Sequence, residues 1–339
     1  MGIKVLVAGF GFMGQTHACN LLKIPGAELA GIVDPCPPEE RLSAVRGNQN
    51  TVAMTPEDIR GVPHYRSLDE ALSSCPAHVL VVALPTRFHV SAIMRGVKAG
   101  LHVFSEKPLA LTPDACALVV RTGVERKRLV AVGQCVRAAR EYEFLKETVH
   151  SRRLGKLIFL KLNRMTGVPS WGCWRDQAFV RASGGALFDL LLHDIDYLRF
   201  CLGEPSGTDA VWRSGADGVS MISARFRYPD VCASVEGGFV LPPTVPFQRS
   251  FSAVFENGVL DSHLPGRVVE YGPDGFLEHD FSADNPYLTE MERFLAAVSS
   301  GDTRNICTAE DAARTVACCL EIARRTGYPL PSAGEGEKL

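Results

Sequence analysis

Ile3-Lys4-Val5-Leu6-Val7-Ala8-Gly9-Phe10-Gly11-Phe12-Met13-Gly14 opens the chain. Ile3–Gly9 is a short Val- and Ile-rich run with almost no polar alternation, the pattern of a parallel strand buried on both faces. Gly9, Gly11 and Gly14 stand in a G-x-G-x-x-G spacing, and Phe12–Lys23 reads as a helix stopped by Pro25-Gly26. That strand–turn–helix context is what gives the glycine motif its meaning. The glycines allow a tight turn, close backbone approach to a pyrophosphate, and close helix–strand packing. The helix N-terminus then offers unpaired N–H groups and a positive dipole end to the anion. Gly9, Gly11, Phe12, Met13 and Gly14 are therefore candidate dinucleotide contacts. Asp34 ends the next strand, Glu28–Asp34, 20 residues after Gly14. A carboxylate placed there accepts hydrogen bonds from the adenosine ribose and repels a 2′-phosphate. No Arg or Lys stands between Asp34 and Arg41, so NAD is expected in preference to NADP.

The same alternation continues outward. Val79–Leu84, His102–Ser105 and Leu129–Gly133 read as strands, with Val90–Ala99 and Thr112–Lys127 as the helices between them. Strands separated by helices of this length build βαβ units and a parallel sheet. The pattern changes after residue 133. Arg140–Ser151 reads as a helix, Lys156–Arg164 as a strand and Gly184–Leu202 as a long apolar helical stretch. Residues 207–281 are almost all strand, with turn signals at Asn257-Gly258 and Pro273-Asp274-Gly275. Consecutive strands joined by turns make an antiparallel sheet. Two helices, Tyr287–Ser299 and Thr308–Thr326, close the chain. The expected organisation is an α/β Rossmann domain with a doubly wound parallel sheet over 1–133. An α+β domain with a mainly antiparallel sheet follows over 134–330, and then a disordered tail over 331–339.

Composition agrees and narrows the function. A length of 339 residues suits two domains. The 36 basic and 38 acidic side chains leave a net charge of −2, so nothing points to nucleic acid or an anionic membrane. The longest apolar runs are strand-length, far short of the roughly 18 residues of a membrane span. The 11 cysteines are scattered and contain no Cys-x-x-Cys. They read as reduced thiols of a cytoplasmic protein rather than a disulfide framework or a zinc site.

Two further segments carry chemistry. Glu106-Lys107-Pro108 follows a strand, and ligands of open α/β sheets bind at strand carboxyl ends. In Gly184-Gly185-Ala186-Leu187-Phe188-Asp189-Leu190-Leu191-Leu192-His193, Asp189 and His193 are four residues apart. On an α-helix they would share one face, about 40° apart. A polar pair in so apolar a stretch needs a reason, either a satisfied structural pair or a catalytic one. Metal binding is disfavoured, because D-x-x-x-H supplies two ligands and no third stands at a recognisable spacing.

These segments, taken in order, resemble the Gfo/Idh/MocA oxidoreductase family. The resemblance rests on Gly9–Gly14 with His17-Ala18 and on Leu84-Pro85-Thr86-Arg87-Phe88-His89. It extends to Ala99-Gly100-Leu101-His102-Val103, Glu106-Lys107-Pro108, and Gly184-Gly185 with Asp189 and His193. The resemblance implies a Rossmann domain, an open-faced sheet domain and an NAD(P)-dependent active site between them. It implies cofactor contacts from Leu84, Pro85, Thr86, His89, Glu106 and Lys107. It also implies a catalytic trio of Lys107, Asp189 and His193, with His193 as general acid/base on a carbinol hydroxyl. Thr86 stands where the family often has Asn. After Gly133 only Arg137 remains of the family's usual aromatic and paired arginines.

Substrate contacts are expected from Lys107, Arg137, Trp174, Asp189, His193 and Tyr287. Aromatic faces beside hydrogen-bonding groups suit a sugar, sugar derivative or cyclitol, so a polyol dehydrogenase is expected. An NAD-using glycosidase of the same superfamily and a non-catalytic ligand-binding relative are the alternatives. The strands of the second domain, Val231–Val240 among them, carry apolar residues on both faces. The open sheet face is therefore expected to join copies of the chain as a homodimer or homotetramer.

Overall fold

The computed structural model describes residues 2–44, 54–169, 176–215 and 218–331. The chain divides into two compact units: residues 1–134 with 287–314 and 331–339, and residues 135–286 with 315–330.

The first unit is built on six short strands: β1 (Ile3–Ala8), β2 (Ala27–Val33), β3 (His64–Tyr65), β4 (Val79–Val82), β5 (His102–Ser105) and β6 (Val130–Val132). They lie in the order β3-β2-β1-β4-β5-β6, every pair parallel. The order reverses between β1 and β4, the switch point of a doubly wound sheet. β4 is buried along its whole length, which is why Val79–Val82 shows no alternation. The connecting helices are α1 (Phe12–Leu21), α2 (Pro38–Ala44), α3 (Leu68–Ser74), α4 (His89–Lys98) and α5 (Pro113–Arg126). Their starts carry local signals. Ser67 accepts a hydrogen bond from Glu70 N at 3.3 Å, and Thr112 one from Ala115 N at 3.3 Å with Pro113 opening the helix.

The second unit holds α6 (Arg140–Ser151), β7 (Leu157–Thr166), α7 (Gln177–Ala182), α8 (Leu192–Leu202) and strands β8 (Thr208–Ser214) to β14 (Gly275–Asp280). Between these last two lie β9 (Ser220–Arg227), β10 (Cys232–Phe239), β11 (Gln248–Phe255), β12 (Gly258–Leu264) and β13 (Arg267–Gly272). The sheet order is β14-β13-β12-β11-β7-β10-β9-β8. All its pairs are antiparallel except β7 with β10. One face is the core: Leu160, Leu162, Ile222, Ala224, Val235, Phe251 and Leu260 are buried on it. Leu191 packs onto β10 at Gly237, where an added Cβ would lie 3.0 Å from the leucine side chain. The sequence expectation of apolar residues on both faces of β10 does not hold. Its core-side residues include Ala233 and Val235, while Cys232, Ser234 and Glu236 point to the other face. The pleat sends alternate side chains to opposite faces.

Two helices remain, α9 (Pro286–Ser300) and α10 (Ala309–Thr326). Residues 287–314 group with the first unit, not with the second domain as read from sequence order. The reason is packing: Met291, Phe294 and Leu295 of α9 join Val5, Phe10 and Phe104 in one buried cluster. Backbone pairing adds to it, since Val132 N donates to Cys307 O at 2.8 Å. The expected disordered tail lies outside the described residues from 332 onward.

Candidate functional site

The conformation of the loop after β1 follows from its glycines. Gly9 has φ +89°, and a Cβ there would lie 2.4 Å from Ala83 O. A Cβ at Gly14 would lie 1.9 Å from Gly9 O, so α1 packs against the loop as only glycine permits. Gly11 differs: a Cβ there meets nothing within 4 Å. Gly11 is also the N-cap of α1, and no side chain caps the helix. The first-turn N–H groups, over Gly11, Phe12 and Met13, therefore present an open, bare anion-binding end. These residues fit a dinucleotide pyrophosphate.

Asp34, buried just beyond β2, accepts from Phe10 N at 2.9 Å and Cys36 N at 3.0 Å. It also pairs with Arg41 Nε at 2.9 Å. Sequence reasoning counted no cation up to Arg41 and missed that α2 returns Arg41, in its last turn, to the carboxylate. Leu84, Pro85 and Thr86 follow β4, half-buried, and Thr86 starts a single 3₁₀ turn. His89, first residue of α4, is buried with one ring nitrogen 2.7 Å from Leu84 O and the other 2.7 Å from Pro108 O. It ties the loop after β4 to the loop after β5. Burial, the larger influence, lowers its pKa, and the two carbonyls act the other way.

Glu106 and Lys107 leave the end of β5. Glu106 is buried, and its Oε1 lies 2.7 Å from His17 Nε2 of α1. Burial alone would raise the Glu106 pKa. The His17 hydrogen bond and charge, with Lys107, more than offset it and hold the carboxyl below its ordinary value. Glu106 Oε2 accepts from Lys107 N at 3.3 Å. Lys107 is half-buried, as is Tyr287 at the start of α9. Within this unit the structure brings the glycine loop, Asp34 and the ends of β4 and β5 to the same carboxyl edge of the sheet.

In the second unit, Asp189 and His193 are each half-buried. The stretch is not one α-helix as the sequence suggested. Leu187–Leu191 is a π turn, with Leu192 N bonded to Leu187 O, and α8 begins only after it. The wider turn replaces the α-helical angle between Asp189 and His193. Gly184 and Gly185 adopt φ +86° and +61°, and the Tyr328 hydroxyl takes the place of a regular first turn. It accepts from Leu187 N at 3.3 Å and donates to Gly184 O at 3.2 Å. A Cβ at Gly185 would lie 2.3 Å from that hydroxyl. Tyr328 stands 139 residues after Asp189, and no sequence signal marked it.

The helix after the turn is anchored by buried charge. Arg164 Nε and Nη2 bond Asp194 at 2.6 and 3.0 Å. Burial opposes the Arg164 charge, but Asp194 outweighs it and raises the guanidinium pKa. Arg137, expected at the substrate, is buried and bonds Asp196 through Nε at 2.6 Å and Nη2 at 2.8 Å. Thr315 Oγ1 donates to the same carboxylate at 2.8 Å. His193 thus stands one residue before Asp194 on a helix clamped at two successive points. Trp174 lies outside the described residues. Among the described residues, no cluster of three His, Cys, Asp or Glu side chains could hold a metal ion, and no cysteine pairs in a disulfide. No helix among them is long and apolar enough to cross a membrane.

Comparison with known proteins completes the picture. Residues 3–134 match a family described as an oxidoreductase family with an NAD-binding Rossmann fold, and residues 142–261 match the GFO/IDH/MocA C-terminal domain. The chain belongs to the Gfo/Idh/MocA oxidoreductase family. This family member is 27% identical over 202 residues to the myo-inositol 2-dehydrogenase of Thermotoga maritima, covering 60% of this chain and 55% of that protein. The match thus spans about half the length of that relative. It is 27% identical over 354 residues to inositol 2-dehydrogenase 2 of Saccharopolyspora erythraea, covering 98% of this chain and 97% of that protein. Its fold is similar to that of a levoglucosan dehydrogenase solved with NADH and levoglucosan. That likeness has a TM-score of 0.80 at 17% identity, over 96% of this chain and 98% of the other.

Proposed function

We propose that this family member is an NAD-dependent dehydrogenase of a carbinol carbon in a sugar, sugar derivative or cyclitol. The carrying observation is the presence, in one chain, of a bare glycine-edged helix N-terminus and an Asp–His turn clamped by buried ion pairs. The inositol dehydrogenase relatives support the substrate class. Gly9, Gly11, Phe12, Met13, Gly14 and Asp34 hold the pyrophosphate and adenosine ribose. Leu84, Pro85, Thr86, His89, Glu106 and Lys107 shape the rest of the dinucleotide site. When bound, the dinucleotide supplies the hydride acceptor.

The chain's own residues manage the proton and the oxygen. His193 takes the hydroxyl proton during oxidation and returns it in the reverse direction, a task imidazole suits at neutral pH. The Lys107 ammonium donates to the reacting oxygen and favours its developing negative charge. Asp189 orients the substrate or tunes His193, and Tyr287 lines the substrate. Arg137 is a positioning residue: its pairing with Asp196 fixes α8, and through it His193. The thiol-rich composition supports a reducing, cytoplasmic setting.

The assay is dinucleotide reduction, followed by absorbance, across a panel of inositols, monosaccharides and glycosides. Net NADH with at least one polyol is expected. Lys107→Ala and His193→Ala should each lower turnover by about 10²–10⁴-fold, the usual share of a positioned acid, base or oxyanion donor. Full turnover in either variant would overturn the roles. Release of a glycosidic leaving group without net NADH would assign the returning-hydride reaction instead.

A copy of the same chain is the proposed partner. On the sheet face opposite the core, the register sets Phe159, Val254, Val259, Tyr271 and Phe276 side by side across β7, β11, β12, β13 and β14. Tyr271 and Phe276 are exposed, 45% and 67%. Such a row supports a homo-oligomer through this face.

A further inference from the structure

The exclusion of NADP rests on a bare carboxylate at Asp34, and the carboxylate is not bare. Arg41 Nε lies 2.9 Å from Asp34 Oδ1, with the guanidinium about one-third exposed and the carboxylate buried. The arginine is held in place from its own backbone. Gln15 of α1 donates from Nε2 to Phe10 O at 3.0 Å and to Arg41 O at 3.3 Å, joining the glycine loop to the last turn of α2. His64 Nε2, 2.8 Å from Asp34 O, holds the end of β2 from the other side. The pair is thus part of the loop architecture rather than a passing contact of a long side chain.

Two consequences follow. The first is charge. A lone carboxylate repels a 2′-phosphate, but a carboxylate joined to a guanidinium is neutral as a pair, and guanidinium is the side chain best matched to phosphate oxygens. The second is acceptor capacity. A carboxylate offers about four lone-pair sites. Oδ1 already accepts from Cys36 N and Arg41 Nε, and Oδ2 from Phe10 N. About one site then remains for a ribose hydroxyl, where a grip on both the 2′ and 3′ hydroxyls needs two. The feature that rejects NADP is therefore weakened on both counts.

We infer that Arg41 makes this a dual-specificity site, binding NADP as well as NAD, and that Arg41 sets the ratio between them. The inference rests on the dinucleotide reading of the glycine loop and deepens it. The preference for NAD stays, but it is small.

The test is direct binding of NADH and NADPH to the full-length protein, by nicotinamide fluorescence or calorimetry, without substrate. Wild type should bind both with dissociation constants within about tenfold of each other. Arg41→Ala should weaken NADPH at least about tenfold more than NADH, and Arg41→Lys should fall between, since it keeps the charge and loses the planar fork. Asp34→Asn should move the ratio toward NADPH. A wild-type ratio beyond about tenfold, or equal weakening of both dinucleotides in Arg41→Ala, would overturn the inference and leave Arg41 as a clamp on Asp34. Binding of NADH alone would overturn this inference while sparing the NAD reading. Binding of neither would overturn both.

Discussion

Glu290 shows how much a single side chain can depart from its sequence appearance. On paper it is one of two acids in an amphipathic helix. In the structure it is buried, and neither carboxyl oxygen has a hydrogen-bond partner among the described residues. Burial, helped by the nearby charge of Glu106, raises its pKa well above the ordinary value. The native state therefore keeps a proton that the unfolded chain releases above the ordinary glutamate range. Above that range the native state binds more protons than the unfolded state, so stability falls as pH rises until native Glu290 itself ionises. Glu290→Gln has no proton to lose. Its stability relative to wild type should therefore increase between pH 5 and pH 8, by at most about 1.4 kcal/mol per pH unit. Urea unfolding at the two pH values measures this, and a difference independent of pH would refute it. Asp34 and Arg41 make the same point for binding, since their pairing was hidden by six residues of intervening chain.

Helix α8 shows the corresponding lesson for an element. Its amino-acid pattern is apolar enough to bury, yet Asp194 and Asp196 are fully buried on it. Each survives there because an arginine from a distant segment meets it with two hydrogen bonds. Removing one partner strands the other charge. Asp196→Ala should cost about 3–5 kcal/mol in denaturant unfolding. Arg137→Met combined with Asp196→Leu should recover more than half of that loss, because no charge is left unpaired. A double variant no more stable than Asp196→Ala would show that the pair does more than neutralise charge. The π turn before α8 was invisible for a related reason. Gly184 and Gly185 announce an irregular start, but the hydroxyl that completes it belongs to Tyr328, far along the chain.

For the whole molecule, the apolar row on the outer sheet face carries the oligomer proposal. Tyr271→Glu with Phe276→Glu places two charges on an exposed strand pair where the ring centroids lie 6.1 Å apart. Wild type should show at least twice the chain mass of 36.8 kDa by light scattering, and the double variant the mass of one chain. A monomeric wild type at micromolar concentration would end the proposal. The composition, which showed no excess of charge or of apolar runs, could not locate this row.

Local spacing was enough to reveal the glycine loop, the acid just beyond β2, and the change from helix–strand alternation to successive strands. Each of these depends on residues within a few positions of one another, where backbone geometry leaves few choices. Chain order failed where partners lie far apart. β7 precedes the other strands of its sheet yet sits in its interior, parallel to β10. The segment 287–314 follows the second unit in sequence and packs with the first. Arg137 meets Asp196, and the Tyr328 hydroxyl bonds the backbone at Gly184 and Leu187 before the turn that carries Asp189. Burial and charge pairing select such contacts by energy over the folded chain, and a one-dimensional pattern holds no record of that selection. The glycine loop was thus legible from spacing alone, while the setting of Asp34 and of the Asp–His turn came from packing.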